Sequence, residues 1–399
     1  MYIPELTKKE LTHIALVGSQ LNQFTSTGRS GVRQVLETIG SVQLDPLNPA
    51  GRNHDLFFMA RVKDYTQGLF EAVAYPERRV FESYSPNLYA ITTNHFPSYY
   101  SFMEEDRIHP YYKRRIASFV QQHPEVLGQV LEEVRSKKLV NSQDLRDLGK
   151  ASADARTWKT TRVAGSALEY LWLLGKIVVA HRDHLFRKSY AATEECIPKD
   201  HLYKPDISEE EYRRYRYLVK RQSYSVEYVG ALSGDSGRMT FGRKKVVDPS
   251  WFGSHDEFPI LAKLRGTNKG LVVPHNWDEL LDEELDNKMR PLAPLDPLIW
   301  DRDLTELIFG FDYTWEVYKK EQDRKWGYYV YPLLYRGKLV GRLEAKHDKK
   351  KKGLSLFNCS FEKGIRRTAD FKEAFSQMTE RWVGMVGAED CRFDESVPT

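Results

Sequence analysis

The fold turns on the stretch Thr157-Trp158-Lys159-Thr160-Thr161-Arg162-Val163-Ala164-Gly165-Ser166-Ala167-Leu168-Glu169-Tyr170-Leu171-Trp172-Leu173-Leu174-Gly175. Val163, Leu168, Leu171, Trp172 and Leu174 recur on roughly one stripe of a helix. Gly175 sits where a helix-ending glycine belongs. Upstream, Ser142-Gln143-Asp144-Leu145-Arg146-Asp147-Leu148 reads as a short helix. Downstream, Ile177-Val178-Val179-Ala180, a turn at Arg182-Asp183 and Leu185-Phe186-Arg187 predict a hairpin. Helix, turn, helix and hairpin in that order is the winged-helix pattern, whose second helix commonly lies in the major groove of DNA. Arg156, Lys159 and Arg162, with Trp158 among them, cluster at that helix's start and are candidate DNA contacts. The same pattern also serves protein-interaction modules.

Towards the N-terminus, residues 7–22 predict a helix opened by Thr7, with Glu10 in capping-box position. Residues 29–39 predict a second helix and residues 53–63 a third. Between them runs Gly40-Ser41-Val42-Gln43-Leu44-Asp45-Pro46-Leu47-Asn48-Pro49-Ala50-Gly51-Arg52-Asn53-His54. Pro46 pushes the preceding residue out of the helical region, so Gln43 to Asp45 is expected to be extended. In an extended chain residues i and i+2 share a side. Val42 and Leu44 then face a core, and Gln43 and Asp45 face away together. An ionised Asp accepts hydrogen bonds only, whereas a Gln both donates and accepts. Such a pair suits holding a water beside a developing oxocarbenium ion, the need in breaking a sugar's glycosidic bond. The plain alternative is that Asp45-Pro46 starts a turn.

At 399 residues, two to four domains are expected. Hydrophobic residues make up 41% and charged residues 29%, the balance of a soluble globular chain. No apolar run approaches the ~18 residues of a membrane span, and the N-terminus has no signal-peptide core. Cys196, Cys359 and Cys391 are scattered and odd in number, so neither a disulfide framework nor a zinc site is expected and a reducing cytoplasm fits. The histidines form no metal-ligand pattern, and there is no phosphate-cradling Gly-rich loop, so neither a metal nor a nucleotide cofactor is expected.

Net charge is only +4, but its distribution is uneven. Arg107, Lys113, Arg114 and Arg115 surround Tyr111-Tyr112. Arg213, Arg214, Arg216, Lys220 and Arg221 interleave with Tyr212, Tyr215 and Tyr217 in a predicted helix at 209–222. Arg238, Arg243, Lys244 and Lys245 form a third cluster, and Lys349 to Lys352 a fourth. Basic patches interleaved with aromatics suit phosphate contacts and stacking, while solvated helix faces with i,i+4 pairs from Glu209 and Glu210 are the bland reading. Residues 257–290 predict a small α/β unit. From about residue 291, runs at 315–318, 327–331, 338–345 and 354–357, with Arg336-Gly337 as a tight turn, predict an antiparallel barrel or half-barrel. An amphipathic helix at 368–386 closes it, its Phe371, Phe375, Met378, Trp382 and Met385 read as core. The last dozen residues are acidic and expected to fray.

Ser41-Val42-Gln43-Leu44-Asp45-Pro46-Leu47-Asn48, continuing through Arg52-Asn53-His54-Asp55-Leu56, is the first of two telling segments. The second is Ala293-Pro294-Leu295-Asp296-Pro297-Leu298-Ile299-Trp300-Asp301-Arg302, with Gly327-Tyr328-Tyr329-Val330-Tyr331-Pro332 and Leu339-Val340-Gly341-Arg342 beyond it. Together with the helix and wing at 157–190, they resemble the YcaQ/AlkZ family of bacterial winged-helix DNA glycosylases. Gln43-Leu44-Asp45 resembles its Gln-x-Asp branch, that of YcaQ (AlkX), rather than the branch with Gln-x-Gln. The resemblance implies an α+β fold of tandem winged helices followed by an antiparallel β-barrel-like domain, with a C-shaped cleft for DNA. Fitted to the local readings, residues 1–130 form a winged-helix-like domain with the Gln-x-Asp motif and 131–205 a winged helix. Residues 206–290 form a third winged-helix-like unit, and 291–399 the barrel-like domain. The implied activity is hydrolysis of N-glycosidic bonds to alkylated bases, N7-alkylpurines above all, and unhooking of interstrand crosslinks. Gln43 positions water, and Asp45 stabilises the cationic sugar and acts as base. Asn48, Arg52, His54, Arg213, Arg214, Lys325 and Trp326 join the winged-helix residues as candidate DNA contacts, with helix capping as the other reading of Asn48 and His54. The loop from Lys319 to Trp326 is a candidate lesion probe. No lysine is placed as a Schiff-base nucleophile, so a monofunctional enzyme is expected. The partner is double-stranded DNA with alkylated bases or crosslinks, and the protein is expected to be a cytoplasmic monomer working at the nucleoid, without cofactor or metal. A winged-helix transcriptional regulator without chemistry is the alternative from another class, and a nuclease a weaker one.

Overall fold

Thr7 begins the first helix, Lys8–Gly18, with a complete capping box. The Glu10 amide donates to Thr7 Oγ1 at 3.2 Å and the Thr7 amide to Glu10 Oε2 at 2.6 Å. The computed structural model describes residues 3–84, 87–104, 107–149, 162–223, 225–231 and 259–398. Arg156, Lys159, the basic cluster at 238–245 and much of the expected unit at 206–290 lie outside them. The chain divides into two compact units, one of residues 1–70 and 220–399, the other of 71–219. The architecture is mixed α and β, with a curled half-barrel sheet at the C-terminus.

In the first unit the two ends of the chain are built into one core. Glu5–Leu6 pairs in parallel with Ile260–Leu264, which pairs antiparallel with Lys269–Val273 and that in turn with Glu227–Ala231. The half-barrel runs Met289–Pro291, Val330–Tyr335, Lys338–Asp348, Gly353–Phe361 and Asp390–Phe393 in spatial order. Its first four strands are antiparallel neighbours, and the last joins in parallel. The helix Ala369–Val386, capped by Thr368, covers it with the expected aromatics. Phe371 packs edge-on against Tyr335 at 5.4 Å, and Trp382 against Tyr331 at 4.9 Å.

One buried ion pair joins the N-terminal helices to the residue-295 region. The Arg61 guanidinium donates to Asp296 through Nη1 at 2.7 Å and Nη2 at 3.0 Å, both side chains fully buried. Arg61 Nε donates to Ser19 O and Nη1 also to Phe57 O, while Asp296 Oδ1 accepts the Leu298 amide and caps the helix Pro297–Trp300. Pro297 follows that cap at the position where its missing N–H costs nothing.

The second unit holds the hairpin Val80–Tyr84 and Leu88–Thr92, the helices Pro110–Gln122, Val126–Lys137 and Val163–Leu173, and the hairpin Ile177–Arg182 with Lys188–Ala192. Glu82 is its polar centre. Arg182 reaches it at 2.6 and 2.7 Å, the Tyr75 hydroxyl at 2.7 Å, and Trp172 Nε1 donates to its backbone carbonyl at 3.2 Å.

Several expectations need correction. Residues 142–148 are turn and loop, not helix. Asn141 Oδ1 accepts the Gln143 amide and Asp144 Oδ2 the Asn141 amide, side-chain bonds that compete with a helical ladder. The first and third predicted helices stop early, at Gly18 and Met59. The run at 315–318 is a loop gathered around a buried carboxylate. The C-terminal tail does not fray over Asp390–Phe393, because Gly353–Phe361 offers it a free edge.

Replacing Arg61 by Met leaves Asp296 buried and unpaired. We expect chemical denaturation to report a loss of about 3–5 kcal/mol. Arg213→Ala cuts only the exposed Arg213–Glu209 pair, and its cost should stay below about 1 kcal/mol.

Candidate active site

Gly40 sets the site's backbone. It ends the helix Gly28–Ile39 in the left-handed region, at φ +74°, and its amide donates to Leu36 O at 2.8 Å. A Cβ there would lie 2.6 Å from Gln222 Oε1. The chain leaves as the strand Ser41–Gln43. Val42 and Leu44 are buried, Gln43 is 7% exposed, and Asp45 is half-buried. Asn53 clips this strand in place: its Nδ2 donates to Gln43 O at 2.9 Å and its Oδ1 accepts the Leu295 amide at 3.1 Å.

Four bonds then fasten the loop that follows. Asp45 Oδ1 accepts the Leu47 amide at 2.9 Å, and Asn48 Oδ1 the Gly51 amide at 3.0 Å. Pro49 O accepts the His347 amide at 2.7 Å and Ala50 O the Trp382 Nε1–H at 2.7 Å. Asp45-Pro46 is thus a turn starter, and that turn holds the carboxylate on a fixed loop. Burial pushes the Asp45 carboxyl above its usual range, offset in part by the Leu47 amide and the charge of His54.

Beside this loop opens a groove of about 760 Å³. Leu47, Asn48 and Pro49 form one wall, Arg324 to Tyr329 another, and Glu344 to His347 with Phe357 and Asn358 the floor. Lys325 and Trp326 therefore share a groove with Asn48, a gathering of expected site residues that are far apart in sequence.

Glu316 shapes the wall. Its carboxylate accepts Lys319 Nζ at 2.8 Å and the amides of Lys325 at 3.1 Å and Trp326 at 2.7 Å. Burial would raise this carboxyl, but those donors outweigh burial and hold it at about 2. Gly327 follows with φ +142°, where a Cβ would lie 2.3 Å from Glu344 Oε2. Glu344 Oε1 accepts the Tyr328 and Tyr329 amides at 2.8 and 3.0 Å. Trp326 lies on the guanidinium of Arg342, 3.9 Å away, which Phe311 covers from its own side at 3.8 Å. Lys325 is exposed and paired with Asp312 at 2.5 Å.

The remaining expected residues are placed as follows. His54 is fully buried in the helix Asn53–Met59, its ring 5.3 Å from Phe70, so the imidazole does not reach a phosphate as placed. Arg52, 7% exposed, precedes the same helix, and its amide donates to Asp55 Oδ2 at 3.2 Å. In the second unit, Arg162 donates to Ser142 O at 3.0 Å, Arg213 pairs with Glu209 at 2.6 Å on the surface, and Arg214 is half-buried. Sequence reasoning gave no role to Asn53, Glu316 or Glu344, and it read Trp382 as core without its bond to Ala50 O. The cap-and-proline pattern of Asp296-Pro297 is the sequence clue to the helix Pro297–Trp300.

The site thus combines a glycine-capped helix, a short strand ending at Gln43, the Asp45 turn that follows it and a groove over the half-barrel. Residues 36–382 match the family described as DNA glycosylase AlkZ-like, and the chain belongs to that family of DNA glycosylases. It is similar in fold to the DNA glycosylase AlkZ of Streptomyces sahachiroi, with a TM-score of 0.59 and 13% identity over 98% of this chain and 99% of that one. No helix among the described residues is long and apolar enough to cross a membrane.

Because Glu316 titrates far below an unfolded glutamate at about 4.3, its stabilising effect is present above that value and is lost as pH falls towards 2. Glu316→Gln should cost about 1–3 kcal/mol at neutral pH and flatten the acid dependence of the melting temperature in that window.

Proposed function

We propose that this DNA glycosylase hydrolyses the N-glycosidic bond of N7-alkylpurines in duplex DNA, unhooks interstrand crosslinks built on such adducts, and is monofunctional. The observation that carries the reading is the Asp45 carboxylate, half-buried on a loop fastened at Pro49 O and Ala50 O and set beside a groove. Alkylation at N7 places a positive charge on the purine, so the base leaves without much help from an acid. What remains is to stabilise the cationic sugar and deliver water. The Asp45 carboxylate faces the developing charge and takes the water's proton, and Gln43 positions the water. In a water-poor site such a fixed carboxylate contributes several kcal/mol to the transition state.

For DNA binding we propose that Asn48, Lys325 and Trp326 meet the damaged region, with the lysines 349–352 on backbone phosphates. Arg52 acts from beneath, and His54, being buried, acts through its charge on Asp45 rather than on phosphate. Arg156, Lys159, Arg162, Arg213 and Arg214 are proposed as further phosphate contacts. The tandem winged-helix division at 1–130, 131–205 and 206–290, the barrel-like domain at 291–399, a cleft for duplex DNA and a monomeric state belong to the same proposal.

The test is single-turnover release of N7-methylguanine from duplex DNA. Wild type should release the base equally in EDTA and leave no borohydride-trapped adduct. Asp45→Asn should be slower by about a hundredfold, roughly 2.7 kcal/mol of barrier, with DNA affinity retained. A wild-type protein that binds DNA and releases nothing would instead favour a winged-helix regulator.

A further inference from the structure

Tyr329 stands at the foot of the groove wall, 2% exposed, and among the described residues its hydroxyl has no hydrogen-bond partner. Leaving a buried hydroxyl unpaired costs about 1–3 kcal/mol, and each such orphan calls for an explanation; the Tyr331 and Tyr335 hydroxyls share that state, but of the three only Tyr329 lines the groove. The residue lines the same groove as Leu47, Asn48 and Pro49, the loop that Asp45 begins. Its backbone is fixed, the amide donating to Glu344 at 3.0 Å, and its ring is wedged against Trp315 at 6.3 Å and Tyr331 at 5.3 Å. The phenol therefore cannot turn away to find another partner.

We propose that Tyr329 is a catalytic residue, its hydroxyl holding the attacking water jointly with Asp45. The inference rests on the glycosylase reading of Asp45. One hydrogen of the water is accepted by Asp45 and the other by the Tyr329 oxygen, which leaves the water's lone pair aimed at C1′. As the new C1′–O bond forms, the C1′–N bond breaks and its electron pair leaves with the alkylated purine, which departs neutral. The proton released by the water goes to Asp45. Tyr329 gains and loses nothing: burial, then the neighbouring Tyr331 and the Asp45 charge, hold its hydroxyl well above the usual phenol range, so it stays protonated throughout. A neutral oxygen suits this role, because it orients the water without competing with Asp45 for the proton.

The experiment compares Tyr329→Phe with Tyr331→Phe. Both remove one buried hydroxyl from the same strand region, and Tyr331 does not line the groove. Single-turnover release of N7-methylguanine, affinity for the same duplex and the melting temperature are measured for each. We expect Tyr329→Phe to be slower by at least tenfold, with unchanged DNA affinity and a melting temperature equal to or above wild type, while Tyr331→Phe keeps the wild-type rate. Base release by Tyr329→Phe at the wild-type rate, with Asp45→Asn inactive, overturns this role alone. A rate loss matched by lost affinity or a lowered melting temperature also overturns it, by showing a structural role. No base release by wild type overturns the glycosylase reading and this inference together.

Discussion

The first unit depends on the buried pair of Arg61 and Asp296. Two charges taken out of water are costly, and the pair persists because further hydrogen bonds surround it. Arg61 binds the carbonyls of Ser19 and Phe57, lies 3.8 Å over the Phe57 ring, and meets Asp296 with a two-pronged fork. Asp296 in turn starts the helix Pro297–Trp300. One guanidinium thus fixes the end of the first helix, the helix Asn53–Met59 and the segment that follows the first half-barrel strand. Asn53 uses the same junction. By bonding the Gln43 carbonyl and the amide of Leu295, one residue before Asp296, it ties the strand Ser41–Gln43 to that junction.

In the proposed mechanism two constraints meet at Asp45. The turn needs it to accept the Leu47 amide, and the proposed catalysis needs its carboxylate ionised and aimed at the substrate. The two needs are compatible because the amide occupies Oδ1 and a carboxylate has a second oxygen. Half-burial makes the charge more effective on a cationic sugar but also harder to keep. The Leu47 amide and His54 lean against that penalty.

Much of this was legible in the sequence because the signals are local. Thr7 with Glu10, Gly40 after an amphipathic run, Arg336-Gly337 between strands and the aromatic stripe from Phe371 to Met385 are each decided within a turn or two. The parallel pairing of Glu5–Leu6 with residues 263–264 was not legible, since nothing local marks a partner some 250 residues away. Nor was Glu316, read as part of a strand, because its five-residue context does not announce the amides of Lys325 and Trp326. The segment 142–148 misled for the opposite reason: its Asn141 and Asp144 side chains bond the backbone locally and replace the helix that its composition suggests. For the proposed site, spacing and proline marked Gln43 to Asp45 as extended and left a turn or a catalytic pair open until the resemblance was added, whereas Tyr329 required the groove to be seen.

The most direct test is a carboxyl titration of Asp45 in the free enzyme by carbon-13 NMR, set beside the acid limb of subsaturating base release. The limb of that rate reports free-enzyme groups. The account predicts that Asp45 titrates above the ordinary aspartate value of about 3.9 and that the rate falls with decreasing pH through the same midpoint. An Asp45 that titrates at or below the ordinary value, or a rate indifferent to its protonation, would contradict the account.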